Sequence, residues 1–202
     1  MKTIDRISAV LAAEADALRA VNVDSSFVAA VDMMQACKGK VLTTGIGKAG
    51  HIARKFAATL CSCATPANYI HPAEAAHGDL GLVGKEDLMI AFSTSGKSNE
   101  VLEILELSRH LGVSNIIGIT SHPDSGLRDY CDLILNMGEI EEPCPLGLTP
   151  SASTTVMMGI SDALALALLE QKGVTREEWG LRHHGGYLGR SAREDNLPKS
   201  SG

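Results

Sequence analysis

Four hydroxyls and a glycine fall within the run Ser93-Thr94-Ser95-Gly96-Lys97-Ser98-Asn99-Glu100, between a short apolar run and a helical stretch. Hydroxyls and the free N–H groups at a helix start hold a phosphate dianion, because the donors converge and the helix dipole adds positive potential. Gly96 lets the backbone turn and approach the ligand. A capping box, with a Ser or Thr paired to a glutamate in the first turn, explains part of the same pattern. Four hydroxyls exceed what a cap needs, so a phosphate anchor is expected here, and the two readings are compatible.

The segment Thr43-Thr44-Gly45-Ile46-Gly47-Lys48-Ala49-Gly50 loosely matches a dinucleotide fingerprint. No acid ends the next strand, Asn68-Tyr69-Ile70-His71, as that fingerprint requires. It is not a P-loop, since Lys48 follows a short Gly-x-Gly and no Ser or Thr comes next. A lysine at the positive end of a helix is electrostatically misplaced unless it serves an anion, so Lys48 is a candidate for a sugar phosphate. A tight turn with a surface lysine is the plainer alternative.

Three more segments carry proton-transfer groups. His71-Pro72-Ala73-Glu74-Ala75-Ala76-His77-Gly78-Asp79 places histidines and carboxylates just past a strand, and histidine moves protons near neutral pH. His77, among small residues, ranks above His71, and both rank above His51, His110 and His122. No further ligand cluster follows in order, so no metal site is expected. Arg182-His183-His184-Gly185-Gly186 reads equally as a site loop or as a helix end with a glycine cap. Glu139-Ile140-Glu141-Glu142-Pro143-Cys144-Pro145 puts acids in an irregular loop, where solvated carboxylates are the default.

These segments need elements to position them. Apolar runs at Val41–Thr44, Ala67–Ile70, Leu88–Phe92, Asn115–Ile119 and Leu133–Leu135 each end at polar or glycine-rich residues, and helical stretches separate them. Five such strands predict an α/β fold, a doubly wound five-stranded parallel sheet flanked by helices. Ligands of such sheets bind beyond the carboxyl ends of the strands, where the Ser, Thr, Gly, His and Lys residues cluster. Amphipathic spacing of Ile7, Leu11, Ala15 and Leu18 predicts a first helix over 3–20, and Asp24-Ser25-Ser26 offers an N-cap for a second. A long helix is expected over 151–171 and a shorter one after Thr175. Residues 1–190 read as one domain and 191–202 as a flexible tail.

Composition narrows the function. Aromatics are only 3%, so the core must be aliphatic. A net charge of −6 without a basic run argues against nucleic acid as a partner. The apolar runs are interrupted too early to span a bilayer and the start lacks a signal-peptide core, so no membrane and a cytoplasmic location are expected. The five cysteines are expected to be reduced thiols.

Taken together, the motifs resemble the sugar isomerase (SIS) domain family and, within it, the D-arabinose 5-phosphate isomerases of the Kdo pathway. The resemblance rests on Gly45-Ile46-Gly47-Lys48-Ala49-Gly50-His51, the run His71 to Leu82, Cys144-Pro145-Leu146-Gly147-Leu148-Thr149-Pro150, Ser153-Thr154-Thr155 and His183-x-Gly185-Gly186-x-Leu188-Gly189-Arg190. It implies that Lys48, His77, Glu100, Glu142 and His183 are catalytic. It also implies that Thr44, Gly45, Ser93, Thr94, Ser95, Ser98, Ser153 and Thr154 bind the substrate and its phosphate. It implies a homotetramer with sites between subunits. Family members often continue into paired CBS domains, so regulation by those domains is not expected here. His184 stands where the family has a proline, which leaves His183 and His184 both open as the histidine facing substrate.

The expected activity is exchange of D-ribulose 5-phosphate and D-arabinose 5-phosphate through an enediol, supplying Kdo for lipopolysaccharide or capsule, with no cofactor. Either Glu142 or His183 is the carbon base. A Kdo nucleotide sugar is a possible feedback ligand. The alternatives are a non-catalytic sugar-phosphate-binding regulatory module, or an isomerase of another sugar phosphate.

Overall fold

The computed structural model describes residues 2–183 together with Gly185, Tyr187, Gly189 and Ala192. Each of the five apolar runs forms a strand: β1 (Val41–Gly45), β2 (Ala67–Ile70), β3 (Leu88–Phe92), β4 (Asn115–Thr120) and β5 (Leu133–Asn136). All neighbours pair in parallel, in the order β2-β1-β3-β4-β5. Every residue of β1 and β3 is buried, as expected for central strands covered on both faces. The chain reverses its direction of travel across the sheet between β1 and β3, which makes that junction the topological switch point.

Seven α-helices are described: α1 (Thr3–Arg19), α2 (Ser25–Ala36), α3 (Gly47–Ser62), α4 (Pro72–Ala75), α5 (Asn99–His110), α6 (Ala152–Gln171) and α7 (Arg176–Leu181). One face of the sheet packs Phe92, Ile90 and Ile117 against Phe56 and Leu60 of α3 and Val156 and Ile160 of α6. Phe56 and Phe92 meet edge-on, with centroids 5.9 Å apart. The other face packs Leu42, Met89 and Ile116 against Val101, Ile104 and Leu105 of α5. The core is aliphatic apart from this pair and Phe27 of α2, as the composition requires. Gly50 marks the close approach of α3 to β1: a Cβ there would sit 2.5 Å from the Gly45 carbonyl oxygen.

The first helix forms over its expected span, and Asp24 caps α2 by accepting from the Ser26 N–H. The apolar stripe of α1 departs from expectation, because α1 buries no residue and leaves Ile4, Ile7, Leu11 and Leu18 exposed. Half-buried Ala17 packs against the core, and polar bonds also pin the helix: Thr155 of α6 donates to Glu14 at 2.9 Å, and Arg6 donates to the Pro143 carbonyl. α6 also differs from the sequence reading, since by length and composition it is apolar enough to cross a bilayer. Half of that apolar stretch is buried within the protein, which is how a core helix passes the same test.

Asp87 locks the end of the sheet opposite the polar strand ends. It is only 4% exposed and accepts from the Lys40 N–H (2.9 Å), the Gly84 N–H (2.8 Å) and the Lys40 ammonium (2.8 Å). Burial pushes its pKa up, but these bonds and the Lys40 charge outweigh that and hold it below the usual range. Breaking such a pair leaves buried donors unmatched, so Asp87→Ala is expected to cost about 3 kcal/mol. Urea unfolding checks this, and a loss below about 0.5 kcal/mol would place the pair with ordinary surface ion pairs.

Candidate functional site

A cavity of about 290 Å³ opens at the switch point, beyond the carboxyl ends of β1, β3 and β4. Lys48 follows β1, Ser93, Thr94, Ser95 and Ser98 follow β3, and Thr154 stands in the first turn of α6. A larger groove of about 420 Å³ lies between α1, α2 and α6. Its walls are apolar except for Gln171, so it holds no acid–base group and is not a site for this chemistry.

The hydroxyl loop is folded by its own backbone. Gly96 adopts φ +63°, and the turn it makes brings its N–H to the Ser93 hydroxyl at 3.1 Å. A Cβ at position 96 would fall 1.8 Å from the Ser125 hydroxyl, so only glycine fits the turn. Ser93 and Ser98 hydroxyls stand 3.3 Å apart, and the Lys97 N–H reaches the Ser95 hydroxyl at 3.3 Å. Ser98 is the N-cap residue of α5, yet its side chain makes no cap bond. The structural alternative of a capping box is therefore not realised, and the first N–H groups of α5 carry no side-chain cap.

Three helices begin at this cavity: α3 through Ile46 and Lys48, α5 through Ser98, and α6 through Thr154. No side chain caps α3 either, so two positive helix ends are presented without a capping group. The third is neutralised. Glu142 accepts from the N–H groups of Ser151 (2.8 Å), Ala152 (2.9 Å) and Ser153 (3.3 Å), and from the Ser153 hydroxyl. Burial pushes the Glu142 pKa up, but the hydrogen bonds from Ser153, Ser151 and Ala152 prevail and hold it below the usual carboxylate range. Among the described charged or titratable groups, Lys48 and His122 line the cavity and no carboxylate does. The cavity therefore presents Lys48 and two helix ends without side-chain caps, with no carboxylate among its described walls.

The cavity thus gathers Lys48, Ser93, Thr94, Ser95, Ser98 and Thr154, and leaves the other expected residues outside its walls. Thr44 is wholly buried in β1 and donates to the Ile70 carbonyl at 2.9 Å, and Gly45 ends the same strand. Ser153 is occupied by Glu142, which faces the start of α6 and not the cavity. Glu100 sits half-buried in the first turn of α5. His77 is exposed on the turn after α4, and its segment borders a separate open hollow of about 490 Å³ lined by Tyr69, Gly78 and Asp79. His183 stacks on Trp179 at 3.6 Å, with Nδ1 2.9 Å from the Trp179 carbonyl oxygen. His184 and Arg190 lie outside the described residues, as does the tail over 193–202. Among the described residues, no three His, Cys, Asp or Glu side chains cluster as metal ligands.

Sequence ranking undervalued His122. It follows β4, and the rule that ligands sit at strand ends applies to it as it does to Lys48. The signal was present in Thr120-Ser121-His122-Pro123, but nothing local separates this histidine from an exposed loop residue.

Cys144, in the loop between Glu142 and α6, is held near the thiolate form. The Thr149 hydroxyl and the N–H groups of Thr149, Leu148 and Leu146 lower its pKa to about 6. Burial drives Cys131 the other way, to about 12. At pH 7, iodoacetamide is therefore expected to label Cys144 ahead of Cys131, with a rate that rises through an inflection at about 6. Mass spectrometry of digested protein reads the order, and an inflection above about 8, the range of an ordinary thiol, would remove this account of the loop.

The chain as a whole finds counterparts among known proteins. The SIS domain family matches residues 34–167. The arabinose 5-phosphate isomerase KdsD of Escherichia coli (strain K12) is 45% identical over 183 residues, 90% of this chain and 56% of that protein. KdsD of Pseudomonas aeruginosa is 44% identical over 168 residues, 83% of this chain and 51% of that protein. The chain thus spans about half the length of the curated relatives it matches. A putative phosphosugar isomerase involved in capsule formation from Bacteroides fragilis superposes with a TM-score of 0.88 at 40% identity, covering 92% of this chain and all of that one. A protein of Escherichia coli CFT073, solved in complex with arabinose 5-phosphate, superposes with a TM-score of 0.86 at 40% identity, covering 91% and 100%. The family match covers more than half of the chain and the solved relatives share its whole fold, so the chain belongs to the SIS domain family.

Proposed function

We propose that this chain is an aldose–ketose isomerase that interconverts D-ribulose 5-phosphate and D-arabinose 5-phosphate through an enediol. The observation that carries the reading is the cavity itself, where Ser93, Ser95, Ser98 and two uncapped helix ends face Lys48 with no carboxylate among the described walls. Similarity to KdsD proteins and to a chain solved with arabinose 5-phosphate supports the pentose as substrate.

The chemistry follows from the charges. The hydroxyl loop and the start of α5 hold the phosphate, which fixes the sugar and removes much of the entropic barrier. Lys48 then meets the oxygen on which negative charge develops when a proton leaves the neighbouring carbon. Glu142 is a poor carbon base in this setting, since its hydrogen bonds favour the ionised, weakly basic carboxylate. A carbonyl oxygen only accepts, so the Trp179 contact fixes hydrogen on Nδ1 of His183 and puts the lone pair of the neutral ring on Nε2. That arrangement suits His183 to take the carbon proton, with His77 moving protons between the oxygens.

His77, Glu100 and His183 stand outside the cavity walls of one chain. This supports a homotetramer in which neighbouring subunits complete each site. Supply of Kdo, for lipopolysaccharide or capsule, and work in the cytoplasm follow from the same reading, and a Kdo nucleotide sugar would compete for the same anion pocket.

Proton NMR in heavy water tests the proposal. Purified protein with D-ribulose 5-phosphate should form D-arabinose 5-phosphate carrying deuterium at the exchanged carbon. Turnover of a hexose or aminosugar phosphate with silence on the pentose would keep the isomerase and replace the substrate. Tight binding with no exchange of any sugar phosphate would make the chain a regulatory module.

A further inference from the structure

We propose that His122 binds the phosphate of the substrate through Nε2, on the side of the cavity formed by β4. The inference deepens the sugar-phosphate reading of the cavity and rests on it. His122 shares the cavity walls with Ser93, Ser95, Ser98 and Lys48. Its ring is already oriented: Nδ1 lies 3.1 Å from the Thr94 carbonyl oxygen, and its backbone N–H reaches the Thr120 hydroxyl at 3.1 Å. The Thr120 hydroxyl in turn donates to the same Thr94 carbonyl at 3.0 Å, and the Ser121 N–H does so at 3.1 Å. The His122 loop is thus bolted to the phosphate loop through one carbonyl, and the imidazole moves with it.

Chemistry sets the role of the second nitrogen. The Thr94 carbonyl can only accept, so Nδ1 carries a hydrogen. An oxygen of the phosphate dianion also only accepts, so a contact from Nε2 to it requires a hydrogen there as well. The ring then binds as an imidazolium, a second cation beside Lys48 against a dianion. The hydroxyls of Ser121 and Ser125, one and three residues from His122, are buried without a hydrogen-bond partner among the described residues. Pro123, next in sequence, narrows the backbone freedom at His122.

Two substitutions separate binding from scaffolding. In His122→Asn the amide nitrogen can replace Nδ1 on Thr94, but nothing replaces Nε2. In His122→Gln the longer amide reaches the place of Nε2. Calorimetry with inorganic phosphate and with D-arabinose 5-phosphate should show His122→Asn binding both about tenfold more weakly, the loss typical of a charged hydrogen bond at a partly solvated site. His122→Gln should recover part of that loss, and both should melt within a degree or two of the wild type. Under turnover, His122→Asn should raise KM with kcat little changed, the mark of uniform binding. Wild-type affinity for phosphate in His122→Asn would overturn the inference, and so would a loss that follows a lowered melting temperature in both variants. Phosphate binding is read without any reaction. A wild type that binds phosphate but exchanges no pentose leaves His122 in place and removes only the isomerase reading. An active enzyme whose His122→Asn variant binds normally does the reverse.

Discussion

Lys48→Met is expected to lower turnover of D-ribulose 5-phosphate about 10³-fold without lowering the melting temperature. The size comes from removing one preorganised charge next to a developing oxyanion, which commonly takes about 10²–10³ from kcat. The stability half of the prediction comes from position. Lys48 is the second residue of α3, where the helix dipole is positive and a cation is unfavourable, and its side chain is exposed. The uncharged methionine relieves that repulsion, so thermal unfolding should give an equal or higher midpoint. A residue that works against its own helix is explained by a ligand and not by the fold. Turnover within about threefold of wild type would exclude Lys48 from the chemistry, and a fall in melting temperature would make it a structural residue.

Glu142→Gln is expected to lower turnover about 10²-fold for a different reason. The carboxylate holds the N–H groups of Ser151, Ala152 and Ser153 at the start of α6 and the Ser153 hydroxyl, and Thr154 of the cavity sits on that same first turn. A neutral amide offers a single oxygen and no charge to the helix end, so the turn carrying Thr154 shifts, and small misplacements at a reacting site are costly. Stability should also fall, by about 1–2 kcal/mol at pH 7, as for the loss of a helix cap. The pH dependence identifies the cause. The folded pKa of Glu142 lies below its ordinary value of 4.5, so its contribution is complete above about pH 4.5 and is lost as pH falls through the folded pKa. Urea midpoints of wild type and variant should therefore differ at pH 7 and converge as the solution becomes more acidic. Parallel curves at every pH would show that the charge of Glu142 does not hold α6.

Much of this site was legible in the residues alone. Thr94 and the serines of the β3–α5 turn announce an anion by the density of their hydroxyls, and Lys48 does so by standing where a cation is unfavourable. Both signals are local, and these residues line the cavity. Glu142 was not legible in the same way. A glutamate in an irregular loop reads as solvated, and only the fold brings it within 2.8 Å of the Ser151 N–H, nine residues on. His122 was passed over for the same kind of reason, because its partner Thr94 lies 28 positions earlier. Thr44, which the resemblance implies as a substrate contact, has its hydroxyl on the Ile70 carbonyl, a bond set by the pairing of β1 with β2. The α1 stripe shows the limit of periodicity, which reports that one face is apolar but not what covers it.

By itself, the sequence determined the five strands, the long helices α3 and α5 that follow β1 and β3, and the parallel class of the sheet; β4 and β5 are joined by a single 3-10 turn, Gly126–Asp129. Each depends on spacing within a short window, and apolar runs of four to six residues have few other ways to be buried. It also determined that the β3–α5 turn carries four clustered hydroxyls, because these and the glycine that folds them are neighbours in the chain. Only the tertiary structure decided which of the proton carriers share one cavity, which carboxylate serves a helix end, and which histidine stands beside the hydroxyl turn after β3. Those choices are contacts between residues distant in the chain, set by strand order and by the packing of α3, α5 and α6 on the sheet, and no local pattern encodes them.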